Sequence, residues 1–553
     1  MTRARALLAL ILLLYVVLAT LFAVFTPPWQ APDEPAHYNY VGYVAAHGDF
    51  PVLQVGDYPH AHLEEIKRRG FPADMSIAPI RYEFHQPPLY YVLAAPIFNL
   101  TGGDPLALRL LSVFLGAGII LVTYAIARRI CPDRPALALG TAAFVAFLPQ
   151  HLATVSQIGN DVLAELLFAM TLFVLMGELR GTAGNCGELR GTRRNSEELR
   201  GTTGNSGELG GAKERTTDPA PRATHHALRI THHALRLGLL LGLILVTKTT
   251  AYIAVPLVGG VMVWRWWQKR VSLRRMATEA ISVVVPAAVI ALPWYARDIA
   301  VYGWPDFLGL IRHDAIVAGQ TRTAEFIAQV GWSAYWQRAI EFTFKSFWGV
   351  FGWLGVFMES RVYFALAVLS GVALVGLGLQ IANRKLQIAP RTTQYALLAL
   401  STLLTLLVYA WYNTQFVQHQ GRYLFTALIP IALAFVAGWD GAIRPRTGRW
   451  LAVALGVFGV GLAAWGVLIG HSLPKWPLAI TTLFAGGLTA ADFGQRLMEG
   501  RLVRSLPVGC GSAKPPCGTQ SAVRAAFFVL PFFVLPLLAL YALFGAIVPQ
   551  LGR

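Results

Sequence analysis

Long apolar runs alternate with short polar segments along almost the whole chain of 553 residues. A run of about 20 apolar residues is long enough to cross a bilayer as a helix. The pattern predicts spans at about 6–25, 104–127, 135–152, 161–177, 237–268, 277–294, 361–382, 393–411, 423–439, 450–470, 474–492 and 524–548. The run 237–268 is broken by polar residues at Thr247–Thr250 and is interpreted as two short helices. The sequence therefore predicts an all-α multi-pass membrane protein with roughly 12–13 transmembrane helices.

The composition agrees with this class and excludes an ordinary soluble domain. Hydrophobic residues make up 55% and charged residues 14%, with a mean hydropathy of +0.51, whereas about a quarter of the residues in soluble domains are charged.

Basic residues cluster in alternate loops, including MTRAR, ARRICPDR, WRWWQKRVSLRR and RPRTGR. The positive-inside rule places these loops and the N-terminus in the cytoplasm. The net charge of +17 thus indicates topology and contact with anionic membrane lipids. Nucleic acid is excluded as a partner, because the charges are dispersed among membrane spans.

The chain divides into three parts. Residues 1–177 form an N-terminal transmembrane part whose first outer loop runs over 26–103, and residues 237–553 form a C-terminal part whose second outer loop runs over 295–361. Both loops contain aromatic-rich pieces, which predict helices lying along the outer membrane surface. Between them, 178–236 is a cytoplasmic insertion with ten-residue repeats such as ELRGTAGNCG and a seven-residue THHALR repeat. Its Gly, Thr, Asn and charge content favours disorder.

Polar residues at the predicted outer ends of the spans are candidates for chemistry. Directly after the first span, Asp33 and Glu34 stand between Pro32 and Pro35, and His37 follows one turn later. Two interpretations are open. Asp33 can cap a helix that begins near Pro35, or it can be a reactive carboxylate at the membrane border that shares a helix face with His37. A zinc protease is excluded, because the sequence contains no H-E-x-x-H motif.

A second polar group lies in RYEFHQPPLYY at 81–91. Arg81, Glu83 and His85 can bind a phosphate or a metal ion, and Pro88 can open a helix at its first turn. The alternative interpretation is an interfacial anchor in which Arg and Tyr side chains reach from apolar surroundings to water.

Further polar residues stand at the outer ends of later spans, in TKTT, WYARDIAVYGWP and QHQGRY. The candidates there are Lys248, Arg297, Arg422 and Tyr423. A cation at the border of the hydrocarbon is costly unless it faces a cavity or an anion. Arg422 has the planar guanidinium that holds a phosphate with two hydrogen bonds.

Taken in order, these motifs resemble the glycosyltransferase C superfamily. The motifs are the acidic pair, H-Q-P-P-L-Y-Y, N-D, T-K-x-T, W-x-x-R-x-x-x-x-Y-G-x-P, F-W-G-x-F-G-W and Q-G-R-Y. The chain is similar to protein O-mannosyltransferases and lipid A aminoarabinose transferases. It looks closest to a bacterial branch, domain of unknown function 2142. The resemblance covers nearly the whole chain outside the repeat insertion and the C-terminal loop.

The resemblance implies a glycosyltransferase C bundle with juxtamembrane helices, which transfers a sugar from a polyprenyl-phosphate carrier to an acceptor outside the cytoplasmic membrane. By motif, Asp33 matches the catalytic base of the mannosyltransferases, and Glu34 and His37 accompany it. The resemblance places Glu83 and His85 near a phosphate and divalent-metal site, although a lysine is expected there and Phe84 intervenes between the two residues. Candidates for binding the donor phosphate or the acceptor are Arg81, His85, Lys248, Arg297, Arg422 and Tyr423. Beyond the possible divalent metal, no cofactor is expected.

The residue inventory fits this chemistry independently of the resemblance. A glycosidase needs two carboxylates, whereas a lipid phosphate is already a good leaving group, so that one carboxylate base suffices. Cations then stabilise the departing phosphate. A transporter or flippase of an amphipathic envelope precursor stays open; it predicts polar residues at mid-membrane depth and two related halves. A glycan polymer ligase shares the transferase chemistry and also stays open. The sequence determines neither the sugar, the carrier, the acceptor nor the oligomeric state.

Overall fold

A computed structural model describes residues 3–177, 179, 220–317, 319–383, 392–469, 472–505 and 520–552, and these are almost entirely helical. The first part contains α1 (Arg3–Phe25), α2 (Glu34–His47), α3 (His60–Arg68), α4 (Leu89–Thr101), α5 (Pro105–Ile130), α6 (Pro135–Phe147), α7 (Pro149–Val155) and α8 (161–177). The part after the insertion begins with α9 (Ala220–Leu245), a 3-10 turn (Thr249–Ile253), α10 (Ala254–Lys269), α11 (Leu273–Tyr302), α12 (Leu310–Ile316) and α13 (Thr323–Trp348).

A small hairpin separates these helices from the last group. Strands β1 (Val350–Phe351) and β2 (Val356–Phe357) pair antiparallel around the single turn α14 (Gly352–Gly355). The last group is α15 (Ser360–Ala382), α16 (Thr392–Gln415), a 3-10 segment (Gly421–Ala427), α17 (Leu428–Ala442), α18 (Pro445–Leu468), α19 (Lys475–Ser505) and α20 (Gln520–Tyr541). Helix α20 continues through a π-helical segment (Ala542–Ile547) into α21 (Val548–Leu551).

The structure confirms the all-α multi-pass fold. Among the described residues, eight helical segments are long and apolar enough to cross a membrane. They are Arg3–Phe25, Pro105–Ile130, Leu273–Tyr302, Ser360–Ala382, Thr393–Gln415, Gly421–Ala442, Pro445–Leu468 and Val523–Leu551. Helices α6 and α7, bent by 63° at Leu148, form a ninth if they cross together. A proline at the first position of α7 fits this break, because proline is favoured at a helix start and cannot continue a helix through it.

The number of membrane-spanning helices is lower than the sequence predicts, because the remaining predicted spans are shorter or more polar helices. The run 237–268 is divided between the end of α9 and the 16 residues of α10, with the 3-10 turn between them. This break lies at the polar residues that predicted it. The predicted span 474–492 forms part of α19, which carries charged residues such as Lys475 and Asp492.

The insertion is only partly within the described residues. The ten-residue repeats lie outside them, so that the predicted disorder and the domain boundaries stay predictions. The THHALR repeats fall within α9, which begins at Ala220 rather than near the predicted boundary at 237.

Both predicted outer loops contain helices, as the aromatic pieces indicate. The first loop contains α2, α3 and α4, and the second contains α12, α13 and the hairpin. Helix α2 packs against α4 through aromatic rings, since Tyr40 and Tyr91 stack at 3.6 Å and both are fully buried. The two loops also meet directly, because the indole nitrogen of Trp353 donates to the Trp29 carbonyl at 3.0 Å. The resulting layer of loop helices covers the end of the bundle where α1 terminates.

Charged residues gather at the two ends of α17. Just before this helix, Arg422 pairs with Asp33. Near the other end, the Asp440 carboxylate contacts Arg134, Arg444 and Arg524. The residues that meet at each end of α17 are therefore residues that the sequence predicts on the same side of the membrane.

Candidate active site

Asp33 occupies the junction between α1 and α2. Its backbone is in the left-handed region, with φ 69° and ψ −10°, which Asp tolerates better than most residues. The side chain makes no capping hydrogen bond to α2. Its carboxylate instead accepts hydrogen bonds from the Tyr82 hydroxyl and from Nη2 of Arg422, each at 2.9 Å. Asp33 is therefore not the cap of α2, and 30% of its side chain is exposed.

The surroundings of Asp33 keep it ionised. Burial alone raises the pKa of a carboxyl group, because it disfavours the charged form. At Asp33 the charge of Arg422, with the hydrogen bonds from Tyr82 and Arg422, outweighs burial and lowers the pKa below its ordinary value. The Asp33 carboxylate can thus accept a proton at neutral pH from a group that enters beside it.

Glu34 points away from Asp33 and into the protein. It is fully buried and forms a two-pronged ion pair with Arg109 of α5, at 2.7 Å from Nε and 2.6 Å from Nη2. It also accepts hydrogen bonds from the backbone amides of Trp29 and Ile158, both at 3.2 Å. The other donors of Arg109 bind backbone carbonyls at the end of α1. The pair ties α2 to α1 and α5, and the Glu34 carboxylate is occupied within the protein.

His37 lies one turn after Asp33 and is almost completely buried. Its Nδ1 is 2.8 Å from the Tyr91 hydroxyl. Burial, together with the positive charge of Lys248, lowers the pKa of His37, and the opposing effects of Glu83 and Asp33 are smaller in sum. His37 is therefore neutral at pH 7.

Two motifs from distant parts of the chain meet beside this group. The Lys248 ammonium lies 2.8 Å from the Asp161 carboxylate, and the Asn160 side-chain amide donates to the Thr247 carbonyl at 3.1 Å. The charge of Arg422 also acts on Asp161. Asp161 was not among the residues predicted for the site, although the N-D motif at the outer end of α8 was a signal for it. Tyr82 was missed as well, inside the polar stretch that was singled out at 81–91.

Arg422 stands between several of these groups. Its Nε donates to the Gln420 side chain at 2.7 Å, while Nη2 binds Asp33. The guanidinium carbon lies 5.5 Å from the ring centre of Tyr423. The rings of Tyr423 and Tyr412 pack edge to face, with their centres 5.7 Å apart. The structure thus brings Asp33, His37, Lys248, Arg422 and Tyr423 into one region, and their role in binding or catalysis stays a prediction.

Glu83 and His85 lie next to this group. Glu83 is buried, and its Oε2 has no hydrogen-bond partner among the described residues. His85 donates from Nδ1 to the Tyr82 carbonyl at 3.0 Å and packs on His313 at 4.4 Å between ring centres. Burial and the charge of His313 hold the pKa of His85 well below its ordinary value.

A metal ion at Glu83 and His85 stays a prediction. A metal centre held by the protein usually has at least three protein ligands. Within the described part of the chain, no group of three His, Cys, Asp or Glu side chains is placed to hold one ion. The residues present therefore fit a metal only incompletely, and the chemistry derived below uses none.

Two other predicted residues take part in loop packing instead. Arg81 is exposed and donates to the Ala78 carbonyl at 2.7 Å within its own loop. Arg297 pairs with Asp298 at 2.9 Å and donates to the carbonyls of Phe50 and Pro51 at 3.0 and 2.5 Å. Neither hydrogen-bonds to the residues around Asp33. Arg81 thus has a local partner, whereas Arg297 is held by carbonyls that only the folded chain brings near it.

A large apolar cavity reaches the segment that contains Arg422, although Arg422 itself does not line it. It has a volume of about 1210 Å³ and lies between α13, α15, α16 and α17. Most of its wall is aromatic or aliphatic, including Trp332, Tyr335, Trp336, Ile340, Phe347 and Phe435. His419 and Leu424, on either side of Arg422 in the sequence, line it as well.

His419 is the polar exception in this wall. It is buried, and both ring nitrogens lack a hydrogen-bond partner among the described residues. Burial and the charge of Arg338 lower the pKa of His419 to about 4. The wall therefore has an uncharged imidazole.

Comparison with known proteins gives one family and several structures. Residues 85–181 match the profile of the family described as dolichyl-phosphate-mannose-protein mannosyltransferase. No curated relative matches the sequence. The fold is similar to ArnT from Cupriavidus metallidurans bound to undecaprenyl phosphate, with 16% identity and a TM-score of 0.46 over 97% of this chain and 77% of that one. It is also similar to the oligosaccharyltransferase AglB from Archaeoglobus fulgidus, with 12% identity and a TM-score of 0.42 over 86% of this chain and 56% of that one.

The matched segment contains His85 and Asp161, and it includes the H-Q-P-P-L-Y-Y and N-D motifs. The resemblance to domain of unknown function 2142 stays a prediction. The match confirms the resemblance to the mannosyltransferases over residues 85–181.

Proposed function

We propose that this protein is a membrane glycosyltransferase that moves a sugar from a polyprenyl-phosphate carrier to an acceptor hydroxyl. The observation that carries the proposal is the ion pair of Asp33 and Arg422, a carboxylate and a guanidinium 2.9 Å apart, in a segment whose Leu424 lines an apolar cavity. The family match of residues 85–181 supports a lipid-phosphate sugar donor.

In the proposed reaction, the Asp33 carboxylate takes the proton of the acceptor hydroxyl. The hydroxyl oxygen forms a bond to the anomeric carbon of the sugar. The bond between that carbon and the phosphate oxygen breaks, and its electron pair leaves with the polyprenyl phosphate. Arg422 and Lys248 offset the charge that develops on this leaving group. No general acid is needed, because the phosphate leaves as a stable anion.

Arg422 has two tasks in this scheme. Before the donor binds, it holds Asp33 in the ionised form, as the lowered pKa of Asp33 indicates. When the phosphate arrives, the fork of the guanidinium can bind a phosphate oxygen beside the Asp33 oxygen. The same residue thus aligns the base with the leaving group, which fixes the geometry between attack and departure.

The apolar cavity suits the carrier chain. A polyprenyl chain is entirely hydrocarbon, and the cavity wall between α13 and α17 is largely hydrocarbon and aromatic. The cavity has a volume of about 1210 Å³, and drug-sized ligands occupy roughly 300–1,000 Å³. A phosphate at Arg422 would leave the chain to run past Leu424 into this space. The donor therefore enters from the membrane, while the exposed side of Asp33 receives the acceptor.

We further propose that the Asp33 side faces outward across the cytoplasmic membrane and that the N-terminus is cytoplasmic. The distribution of basic loops supports this orientation. The grouping of Arg134, Arg444 and Arg524 at the other end of α17 is consistent with it. The concentration of charged groups at helix ends favours a transferase over a transporter, which would place polar groups near mid-membrane depth.

The test is a transfer assay with the purified protein in detergent or in liposomes. A polyprenyl-phosphate sugar with a radiolabelled sugar is supplied with a mixture of candidate acceptors, and release of the sugar from the lipid is followed. Sugar release that requires intact Asp33 supports the proposal. Stoichiometric movement of the intact lipid-linked sugar across a liposome membrane, without cleavage of the sugar–phosphate bond, would establish a flippase instead.

A further inference from the structure

A second apolar cavity lies at the end of the bundle opposite Asp33. It has a volume of about 810 Å³ and is enclosed by α6, α15, α16 and α17. Its wall consists mainly of leucine, alanine and isoleucine side chains from these helices. Ala434 of α17 lines both this cavity and the one beside Arg422. The two cavities therefore follow one another along the same gap between helices.

The second cavity is accessible from the side of the bundle. Ile381, Leu403 and Leu406 line it, and they are 48%, 51% and 46% exposed. They belong to α15 and α16, two of the segments that are apolar enough to span the membrane. Apolar side chains at this density on a transmembrane helix face lipid. The opening is therefore one that a lipid chain can enter directly from the bilayer.

The end of this cavity is charged. Arg134 and Arg444 line it, and they share the buried Asp440 carboxylate at 2.5 and 3.3 Å. Arg524 binds the same carboxylate at 2.7 Å. Asp133 also lines the cavity, so that three arginines face two carboxylates. The group carries a net positive charge.

Arg444 shows that this charge is not fully compensated. Its Nε is buried and has no hydrogen-bond partner among the described residues. Burial and the neighbouring charges of Arg524 and Arg134 lower the pKa of Arg444 despite the attraction of Asp440. An added anion would relieve the repulsion among the three guanidinium groups.

We propose that this cavity binds an anionic phospholipid, with the phosphate of the headgroup against Arg134 and Arg444 and an acyl chain between α15, α16 and α17. Charge complementarity and the lateral opening together favour this occupant, because a free phosphate would leave the apolar wall uncovered. Basic pockets between transmembrane helices are known to bind anionic headgroups. The assignment does not depend on the activity proposed for the Asp33 site.

The experiment uses the purified full chain in detergent, and native mass spectrometry measures binding of phosphatidylglycerol and phosphatidylcholine. We expect the wild type to bind phosphatidylglycerol more tightly than phosphatidylcholine. The double variant Arg134→Gln, Arg444→Gln should lose this preference, with phosphatidylglycerol affinity falling on the order of 30-fold, as expected for two cations beside an anionic headgroup. Arg275→Gln is the matched control. Arg275 pairs with Glu279 within α11 and does not line the cavity, so phosphatidylglycerol affinity should stay at the wild-type value.

A second variant tests the cavity without changing its charge. Ala399 lines the wall on α16, and Ala399→Phe should also weaken phosphatidylglycerol binding by filling the space. Unfolding temperatures measured without added lipid show that each variant is folded. Equal affinity for both phospholipids in the wild type would overturn the proposal, as would unchanged phosphatidylglycerol affinity in folded Arg134→Gln, Arg444→Gln protein. Tighter binding of undecaprenyl phosphate than of phosphatidylglycerol at these arginines would also overturn it and would assign the cavity to a carrier lipid.

Discussion

Nη2 of Arg422 lies 2.9 Å from Oδ2 of Asp33, although the two residues are 389 positions apart in the chain. This contact joins the turn after α1 to the segment before α17. It makes the Asp33 side chain a partner of a cation instead of a cap for the α2 amides, and it holds the carboxylate ionised. The four predictions below start from this pair and its neighbours.

Replacing the proposed base should stop transfer without unfolding the protein. Asp33→Asn retains the size of the side chain but removes the negative charge, so turnover should fall roughly 10²–10⁴-fold, the usual contribution of a general base. Sugar release from a polyprenyl-phosphate donor measures this, alongside an unfolding temperature. Asp74→Asn is the control, because Asp74 is an exposed carboxylate of the same loop that pairs only at the surface with Arg69. Transfer by Asp33→Asn at the level of Asp74→Asn would remove Asp33 from the mechanism.

Removing the charge of Arg422 should shift the pH dependence of transfer. In the wild type the pKa of Asp33 is lowered, so the base stays ionised throughout the neutral range. Arg422→Gln removes the positive charge that opposes the effect of burial, so the pKa of Asp33 rises. The acidic limb of the pH profile of kcat, measured at saturating donor, should therefore move to higher pH, and donor KM should increase. Arg81→Gln should leave the profile unchanged, because Arg81 stays exposed in its own loop. Identical profiles for the wild type and Arg422→Gln would show that Arg422 does not control Asp33.

Glu34 should matter for stability more than for the chemical step. Glu34→Gln leaves the buried Arg109 guanidinium without its counter-charge, which typically costs about 3–5 kcal/mol. The free energy of unfolding, from thermal or denaturant unfolding in detergent, should fall by that order. The control is Glu64→Gln, whose exposed pair with Lys67 should contribute less than about 1 kcal/mol. A fully stable but inactive Glu34→Gln protein would instead make Glu34 a catalytic group.

Filling the apolar cavity should impair donors with a long polyprenyl chain more than donors with a short one. Ala339 lines the cavity beside Arg422, and Ala339→Trp would place an indole in the proposed path of the carrier. KM for a long polyprenyl-phosphate sugar should rise, whereas a donor with only a few isoprene units should be affected less. Ala464→Trp serves as the control, because Ala464 is an exposed residue of α18 away from this cavity. A uniform effect on short and long donors would argue against this path.

The sequence alone was sufficient for the membrane class and for much of the layout of the chain. Apolar runs predicted the helices that became α1, α5 and α15, and polar residues at Thr247–Thr250 predicted the interruption before α10. These features depend on the hydrophobicity of each segment by itself, because every membrane-spanning helix has to be apolar over its own length. The same local rule identified Asp33, Lys248 and Arg422 as charges at helix ends.

The partners of those charges were decided by the tertiary structure. Sequence spacing gave no reason for Glu34 to meet Arg109, for Asp161 to meet Lys248, or for Arg297 to bind the loop before α3. Asp33 and Glu34 are adjacent at the start of α2 but face different directions. The Glu34 carboxylate is therefore buried and paired with Arg109, whereas the Asp33 side chain is partly exposed. The two apolar cavities likewise lie between α15, α16 and α17, whose packing against one another the sequence does not specify. A hydrophobic run specifies that a helix crosses the membrane, but side-chain packing between helices decides which faces meet and which spaces stay open.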